Sequence, residues 1–421
     1  MDPADLPARP RRRIAVVVQR HGEGIAGGAE WHARSLVDVL AAHHDVTVLT
    51  SCAQDAATWA MHFAPGDDTV GGVAVRRFAH PPRNAGWRAR VPLAAKWRFW
   101  AGPLLDALGI TRVALPRGDD EGDGHRFLRR QGPCCDGLVD ALKTGTWDAV
   151  VFFTALYHPT AEGLPVWGRR SVLVPTLHDE KPMHLPWFHR VFASAGVTLW
   201  NTAAEQRLAR RLYGASAPEG RVVGAGVQVQ PPTPDAVADA RRRFELPARY
   251  LVYVGRIEKG KGCAELLDAW QRLDGRTGDA VLLFIGKGSL PVPVSKRVRV
   301  AGWLEAADRY ALVAGAAALV MPSRHESLSL VLLEAFALGV PALANGACEP
   351  LADHVAASGA GESYRGRAQL RAGLQRALAR PADERRRLGD AGRRYVAAHY
   401  APDRVADAWL DAVETACSLP A

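Results

Sequence analysis

The segment 321–346 (MPSRHESLSLVLLEAFALGVPALANG) constrains the fold of this chain more than any other part of the sequence. An apolar run at 316–321 predicts a buried strand that ends at Pro322, and the apolar residues of 330–338 predict a helix. A second apolar run, at 340–344, returns the chain to the sheet. The segment therefore predicts a strand–loop–helix–strand unit with a parallel sheet, which is typical of an α/β fold.

Two glutamates, Glu326 and Glu334, lie eight residues apart in the loop and helix of this unit. Such a loop lies at the carboxyl edge of the sheet, where open α/β sheets bind ligands. N–H groups at the start of the helix can hold an anion, and Glu334 can accept hydrogen bonds from hydroxyl groups. The pattern favours a ligand with phosphate between two hydroxylated groups, such as a nucleotide diphosphate sugar. For an isolated pair of glutamates, an amphipathic helix with one capping and one exposed residue is the alternative.

The residues PSRHESLSLVLLEAFALGVP resemble the E-x7-E motif of retaining glycosyltransferases with the GT-B fold, the large family four. The resemblance implies that Glu326 contacts the transferred sugar and that Glu334 contacts the ribose hydroxyls. The family more often has Gly-Phe-Gly after the first glutamate, where this chain has Ser-Leu-Ser. The backbone N–H groups expected to hold the donor belong to Ser327, Leu328, Ser329 and Leu330.

A basic turn follows the predicted strand 251–254 and begins with Gly255. It resembles the family's G-R-x4-K-G motif, which implies that Arg256 and Lys261 bind the diphosphate and that Gly255 belongs to the donor site. Two fixed cations suit this chemistry because the leaving group gains negative charge as the glycosidic bond breaks. A solvated basic turn is the alternative, but the position of the turn, upstream of the two glutamates, favours the resemblance.

A glycine-rich loop follows the first predicted strand, 14–18. It formally contains the dinucleotide-binding pattern, Gly22-x-Gly24-x-x-Gly27, but that pattern needs an acidic residue at the end of the second strand, which here ends in Leu-Thr-Ser. The residues from Gly27 instead resemble the GG-x-E start of the first helix in the same glycosyltransferases. This implies that the N–H groups of Gly27 and Gly28 approach the donor's phosphates. A tight turn that needs positive φ is compatible with this interpretation.

The resemblance implies roles for further residues that follow strands. Gly286 lies in the family's glycine turn under the nucleoside, and Trp303 lies where the backbone pairs with the base. His178 matches a histidine that lies against the sugar. Tyr157 and His158, at the end of another predicted strand, are acceptor-side candidates.

Acidic and histidine residues cluster around His178, so a metal site must be considered. Their spacing fits no H-E-x-x-H or similar motif. The six cysteines show no C-x-x-C spacing, so neither a zinc site nor a disulfide framework is predicted. We expect no metal and no cofactor, since the nucleotide sugar is a substrate.

The formal charge of +9 favours anionic partners, and the 48% hydrophobic content fits a globular chain. The segment 83–100 interleaves basic residues with three tryptophans and has no acidic residue, which suits contact with an anionic membrane surface. A core helix with solvated arginines is the alternative. Nucleic acid is not an expected partner, because no recognised binding motif accompanies the charge.

These observations predict an α/β chain of the GT-B class, with two Rossmann-like doubly wound domains facing a central cleft. The predicted domains are 12–228, on the acceptor side, and 229–400, which binds the nucleotide sugar, while the helix 401–416 packs back on the first domain. The opening residues lack the apolar core of a signal peptide and no apolar run reaches membrane-spanning length, so we expect a cytoplasmic protein that contacts the inner face of the membrane peripherally.

The predicted function is metal-independent, retaining transfer of a sugar to a hydroxyl acceptor, namely a lipid-linked or growing saccharide in envelope or exopolysaccharide biosynthesis. Two alternatives remain open. One is another enzyme class with the GT-B fold, a nucleotide-sugar epimerase or a sugar phosphorylase. The other is a non-catalytic subunit that binds nucleotide sugars.

Overall fold

A computed structural model of the chain describes residues 10–25, 27–82, 97, 100–101, 120–273 and 275–420. The chain forms two compact units. Unit 1 comprises Met1–Gly224 and Ala406–Ala421, and unit 2 comprises Ala225–Val405. Each unit contains its own sheet and its own hydrophobic core.

The sheet of unit 1 has the spatial order β3-β4-β2-β1-β5-β6-β7-β8, and its neighbouring strands are parallel except for the β3–β4 hairpin. Gly71 and Gly72, both with positive φ, form the turn of that hairpin. The strands are β1 (Arg13–Val17), β2 (Asp45–Ser51), β3 (Gly66–Val70), β4 (Val73–Phe78), β5 (Ala149–Phe153), β6 (Ser171–Val174), β7 (Val197–Trp200) and β8 (Arg221–Val222).

The sheet of unit 2 is parallel throughout and has the order β11-β10-β9-β12-β13-β14. This is the doubly wound order, in which the chain starts in the middle, builds one half of the sheet and then returns to build the other. The strands are β9 (Tyr250–Val254), β10 (Val281–Ile285), β11 (Val298–Gly302), β12 (Ala318–Met321), β13 (Ala342–Asn345) and β14 (Gly361–Tyr364).

Helices connect the strands in both units. Those of unit 1 are Gly28–His43, Asp120–Gln131, Asp136–Thr144, His158–Trp167, Trp187–Ser194 and Ala203–Tyr213, with 3-10 turns at Lys181–His184 and Gly214–Ser216. Those of unit 2 are Pro234–Arg243, Cys263–Gln271, Ala306–Ala314, Leu330–Ala337, Glu349–Ser358, Gly366–Ala379 and Ala382–His399, with a 3-10 turn at Lys259–Lys261. The last helix, Pro402–Ser418, begins in unit 2 and continues into unit 1.

The central strands are apolar because helices cover both faces of a parallel sheet. Every residue of β5 (AVVFF), β9 (YLVYV) and β10 (VLLFI) is buried. Continuous apolar runs of this kind predict buried strands. The α/β fold with two parallel-sheet domains is confirmed.

The division between the units lies at 224/225, whereas the predicted domain boundary lies at 228/229. The final helix starts one residue later than the predicted 401–416 range, at Pro402, and ends two residues later, at Ser418. Among the residues that the structure describes, every helix is too short or too polar to cross a bilayer.

Candidate functional site

The carboxyl ends of β9 and β12 are the centre of the candidate site in unit 2. The two strands are neighbours, although 63 residues separate the end of one from the start of the other in the chain. This is the point where the strand order reverses, which leaves a crevice at the carboxyl edge of a doubly wound sheet. The loop after β9 carries Lys261, and the loop after β12 carries Glu326.

Lys261 and Glu326 form an ion pair at this edge. The Lys261 ammonium donates to Glu326 Oε1 at 2.8 Å. The two side chains are only 26% and 15% exposed, so the pair is shielded from much of the solvent. The structure therefore brings together a residue predicted to bind diphosphate and a residue predicted to contact the sugar.

A glycine allows the two loops to touch. Gly262 has φ +76, and a Cβ on it would lie 2.3 Å from the carbonyl oxygen of Pro322. A side chain at this position would push the loop after β9 away from the loop after β12. The close approach of the backbones thus holds Lys261, the preceding residue, next to Glu326.

Gly255 and Gly286, both predicted to bind the donor, also allow a close approach between two backbone segments. Their φ values are +142 and +140, and a Cβ on Gly286 would lie 2.0 Å from the carbonyl oxygen of Gly255. Both glycines are therefore required by the backbone geometry of the site. Their predicted contact with the donor stays a prediction.

Arg256 lies on the loop after β9 with its side chain 68% exposed. Its Nη1 atom is 3.3 Å from Glu258 Oε1, and its carbonyl oxygen accepts a hydrogen bond from the Tyr253 hydroxyl at 2.7 Å. Burial, with the nearby Glu326 carboxylate, raises the pKa of Tyr253, which keeps this hydroxyl a donor. The backbone of Arg256 is thus fixed while its guanidinium faces solvent.

Glu334 is held by two residues of the helix Ala306–Ala314 that sequence reasoning missed. Arg309 Nη1 donates to Glu334 Oε2, and the Tyr310 hydroxyl donates to Oε1 at 3.1 Å. Burial and the Glu334 charge raise the pKa of Tyr310, so its hydroxyl keeps the proton that it donates. A carboxylate has about four lone-pair positions, so two remain for a ligand.

His354 supports the same loop from the interior of the unit. The imidazole is buried; its Nε2 atom lies 2.9 Å from the carbonyl oxygen of Leu328, and its Nδ1 atom lies 2.9 Å from the Tyr395 hydroxyl. A carbonyl oxygen only accepts, so Nε2 carries the proton and Nδ1 accepts from Tyr395. Burial lowers the pKa of His354 to about 4, which keeps it neutral at pH 7.

His354→Phe is expected to lower the free energy of unfolding by about 1–3 kcal/mol at pH 7, because two buried polar groups lose their partner. His354→Gln keeps an N–H donor, so its free energy of unfolding should fall by less. The folded pKa of about 4 lies below the ordinary value of 6.5, so the contribution of His354 is present above pH 6.5 and is lost as the pH falls through 4. Urea denaturation at several pH values measures this; a difference between wild type and His354→Phe that stays constant down to pH 4 contradicts it.

Ser329 begins the helix Leu330–Ala337 in an uncommon conformation. It has φ +66 and ψ 70, which is left-handed, and its side chain is buried. A non-glycine residue in this region costs about 1–3 kcal/mol, and such strain clusters at functional sites. Leu328 is buried beside it, and its carbonyl is the group that His354 holds. The N–H groups of 327–330 therefore lie on a constrained segment at the N-terminal end of the helix.

The last predicted donor-site residue of unit 2, Trp303, follows β11 and Gly302. Its side chain is 55% exposed. The indole is available to stack on a ligand, and its role in binding stays a prediction.

In unit 1, the predicted glycines Gly27 and Gly28 lie at the start of the first helix. A Cβ on Gly27 would lie 2.1 Å from a carboxylate oxygen of Glu30. Glu30 in turn accepts hydrogen bonds from Gln19 and Arg20, each at 3.0 Å. Gly27 is therefore required by a buried charge network, whereas Gly28 has open space around it.

The other predicted residues of unit 1 follow β5 and β6. His178 is 32% exposed, with Nδ1 3.8 Å from Glu180 Oε1. Tyr157 packs edge-on against Trp59 at 5.4 Å between ring centroids. His158 is 2% exposed, and its Nε2 atom lies 3.4 Å from Asp136 Oδ1. Its burial does not favour direct contact with an acceptor.

The segment 83–100 lies mostly outside the described residues. Of its tryptophans, Trp97 and Trp100 are described, and their side chains are 60% and 66% exposed. Lys181 lies 5.0 Å from the ring centroid of Trp100. Membrane contact by this segment stays a prediction.

A cavity of about 670 Å³ in unit 1 lies away from the predicted site residues. Its lining includes Arg13 and Asp45, the first residues of β1 and β2, and Trp147, which precedes β5. It therefore opens at the amino edge of the sheet, opposite to the edge where such sheets bind ligands. We assign it no part in the candidate site.

Residues 248–364 match the family model described as "Glycosyl transferases group 1". This segment contains every predicted site residue of unit 2. No curated protein sequence matches the chain.

Solved structures show the fold. The chain is similar to sucrose-phosphate synthase from Thermosynechococcus elongatus (TM-score 0.64, 20% identity, 95% of this chain and 98% of that chain). It is also similar to Anabaena Alr3699/HepE in complex with UDP and glucose (TM-score 0.65, 14% identity, 96% of this chain and 100% of that chain). A third similar structure is WaaG, a glycosyltransferase involved in lipopolysaccharide biosynthesis (TM-score 0.59, 16% identity, 94% of this chain and 99% of that chain). The predicted GT-B fold class is confirmed, while the retaining E-x7-E assignment stays a prediction.

Proposed function

We propose that this protein is a retaining glycosyltransferase that moves a sugar from a nucleotide diphosphate donor to a hydroxyl acceptor. The observation that carries the proposal is the contact between Lys261 and Glu326 at the point where the strand order of unit 2 reverses. The pair lies within the segment that matches the group 1 glycosyltransferase model. Glu334, held by Arg309 and Tyr310, lies about one turn into the helix Leu330–Ala337, which follows the loop of Glu326.

In the proposed mechanism the protein stabilises the leaving group. As the bond between the anomeric carbon and the phosphate oxygen breaks, negative charge grows on the diphosphate. Arg256 and Lys261 supply positive charge there, and the N-terminal end of the helix Leu330–Ala337 favours an anion. Glu326 positions the sugar, and Glu334 accepts hydrogen bonds from the ribose.

The anomeric configuration is retained because the acceptor attacks the sugar on the same face from which the leaving group departs. The acceptor oxygen bonds to the anomeric carbon, and the acceptor's proton passes to the departing phosphate oxygen. This route needs no protein nucleophile and no magnesium or manganese ion on the diphosphate. His178 is proposed to contact the sugar and to stabilise its positive charge.

Uridine nucleotides are the donors to test first. HepE was crystallised with UDP-glucose, and a trehalose-6-phosphate structure from E. coli contains UDP-2-fluoro glucose. For the acceptor we propose a lipid-linked or growing saccharide, which is supported by the exposed Trp97 and Trp100 and by the involvement of WaaG in lipopolysaccharide biosynthesis.

A panel of nucleotide sugars, each with and without saccharide acceptors and with chelator present, tests the proposal. We expect acceptor-dependent release of nucleoside diphosphate and a product whose anomeric configuration, measured by NMR, equals that of the donor. Release of nucleotide without acceptor indicates an epimerase, and a requirement for inorganic phosphate indicates a phosphorylase. Binding of a donor without turnover indicates a non-catalytic subunit.

Glu334→Gln is expected to weaken nucleotide binding about tenfold, because hydrogen bonds to a charged acceptor contribute about 1.5–3 kcal/mol. Calorimetry with the nucleoside diphosphate alone measures this. Glu362→Gln is a matched control, since Glu362 also pairs with arginines, Arg376 and Arg380, but lies on β14. Unchanged affinity in Glu334→Gln, in a folded protein, removes the ribose role.

A further inference from the structure

Unit 1 contains three side chains of the kinds that bind transition metals, outside the donor site. The donor atoms of Cys134, Asp136 and His158 all lie within 4.8 Å of one another. Cys134 lies just before the helix Asp136–Thr144, whose first residue is Asp136, and His158 is the first residue of the helix His158–Trp167. We propose that these three residues bind a zinc ion.

Two of the three distances between the donor atoms are close to those of a tetrahedral site, and the third is within 4.8 Å. Asp136 Oδ1 lies 3.7 Å from Cys134 Sγ and 3.4 Å from His158 Nε2. With zinc–sulfur bonds of about 2.3 Å and zinc–nitrogen or zinc–oxygen bonds of about 2.0 Å, the matching tetrahedron edges are about 3.5 Å and about 3.3 Å. Small side-chain movements are therefore enough to complete the coordination.

Hydrogen bonding alone accounts poorly for the burial of His158. The side chain is 2% exposed, and its Nδ1 atom has no hydrogen-bond partner among the described residues. Its Nε2 atom faces Asp136 at 3.4 Å, which is long for a hydrogen bond. A bond from Nε2 to a metal compensates for the loss of water around a buried imidazole.

A metal ion can reach the cluster from the solvent, through the exposed side chain of Asp136. Cys134 is 3% exposed, whereas the side chain of Asp136 is 59% exposed. Two ligands are thus interior and one faces solvent, where water can take the fourth position. Arg129 donates to both oxygens of Asp136, at 2.9 and 3.0 Å. Coordination through Oδ1 leaves the bond to Oδ2 in place, so Arg129 orients the ligating carboxylate.

The charges and donor types select the metal. A thiolate and a carboxylate together balance one divalent cation. Arg129 adds a positive charge, and Glu162, one turn after His158 on the same helix, adds a negative one; its Oε1 atom is 2.8 Å from His125 Nδ1. Sulfur and nitrogen donors favour zinc over magnesium or calcium, which take oxygen ligands. The bound ion connects two helices of unit 1, so its effect is on stability.

The first experiment uses the untagged wild-type chain, purified without chelator. Elemental analysis is expected to find about one zinc ion per chain. After the zinc is removed, titration with Co²⁺ should give a thiolate-to-cobalt absorption band and the intense visible bands of tetrahedral cobalt, and added zinc should raise Tm. Substoichiometric zinc, with cobalt spectra that lack the thiolate band, shows an adventitious ion only and overturns the proposal.

Variants identify the ligands. Cys134→Ser is expected to abolish the thiolate band and to weaken metal binding by more than about 100-fold, since loss of an outer partner alone costs 10–100-fold. His158→Gln should weaken binding similarly. Cys417→Ser changes a cysteine of unit 1 outside the cluster, so the thiolate band and the metal affinity should both stay unchanged. A thiolate band that persists in folded Cys134→Ser rules the site out.

Discussion

Arg256→Ala is expected to lower kcat/KM for the donor by about 10²-fold or more, as loss of one group that stabilises transition-state charge commonly does. The free energy of unfolding should change by no more than about 0.5 kcal/mol, because the guanidinium is 68% exposed and its contact with Glu258 is a surface ion pair. Steady-state kinetics and urea denaturation on the same preparation measure the two quantities. A large kinetic effect without a stability effect is the pattern that a role in binding the leaving group requires.

Arg272→Ala is the matched control. Arg272 is also an exposed arginine of unit 2, with its side chain 61% exposed and its Nε 3.0 Å from Asp268. Its removal changes the net charge equally but takes no charge from the loop after β9. Equal losses in the two variants indicate a general effect of protein charge on an anionic substrate. Full turnover in Arg256→Ala shows that the predicted role is wrong.

The buried parallel strands were the most predictable part of the fold. The runs that became β5, β9 and β10 are apolar at every position, since both faces of these strands are covered. The strand β3 was missed because it is an edge strand with the sequence GDDTV, four of whose five residues are exposed. It has no apolar pattern, and its pairing with β4 depends on the Gly71–Gly72 turn.

The candidate site was predictable where motifs directly follow strands. Lys261 and Glu326 each follow a strand, so the carboxyl-edge rule places both at one side of the sheet. Their contact at 2.8 Å also depends on β9 and β12 being neighbours, which the apolar pattern of each strand does not specify.

Residues that act through helix packing were not predictable. Arg309 and Tyr310 reach Glu334 from a helix, 25 and 24 residues earlier in the chain, and His354 reaches Leu328 from 26 residues later. These contacts depend on how the helices pack on the sheet. The residues are therefore not separated by a spacing that a sequence motif would show. The same holds for His158, whose donor atom lies within 4.8 Å of that of Cys134.

A double-variant series at Lys261 and Glu326 has the largest expected kinetic effect. Lys261→Met and Glu326→Gln should each lower kcat/KM by about 10²–10³-fold. Each should also reduce stability, because a partly buried charge loses its partner; the side chains are 26% and 15% exposed. The double variant removes both charges, so part of the lost stability should return as a coupling free energy of about 0.5–3 kcal/mol. Turnover should not return with it.

The ion pair between Arg324 and Glu265 provides the control for this series. It joins the loop after β12 to the helix after β9 at 3.3 Å, so it connects the loop that carries Glu326 to the helix that begins two residues after Lys261. If holding the segments together were enough, Arg324→Met/Glu265→Gln would lower turnover as much as the other double variant. We expect it to retain turnover within a few-fold. Recovery of turnover together with stability in Lys261→Met/Glu326→Gln would mean that this pair only fixes the loops, because transfer would then proceed without either charged group.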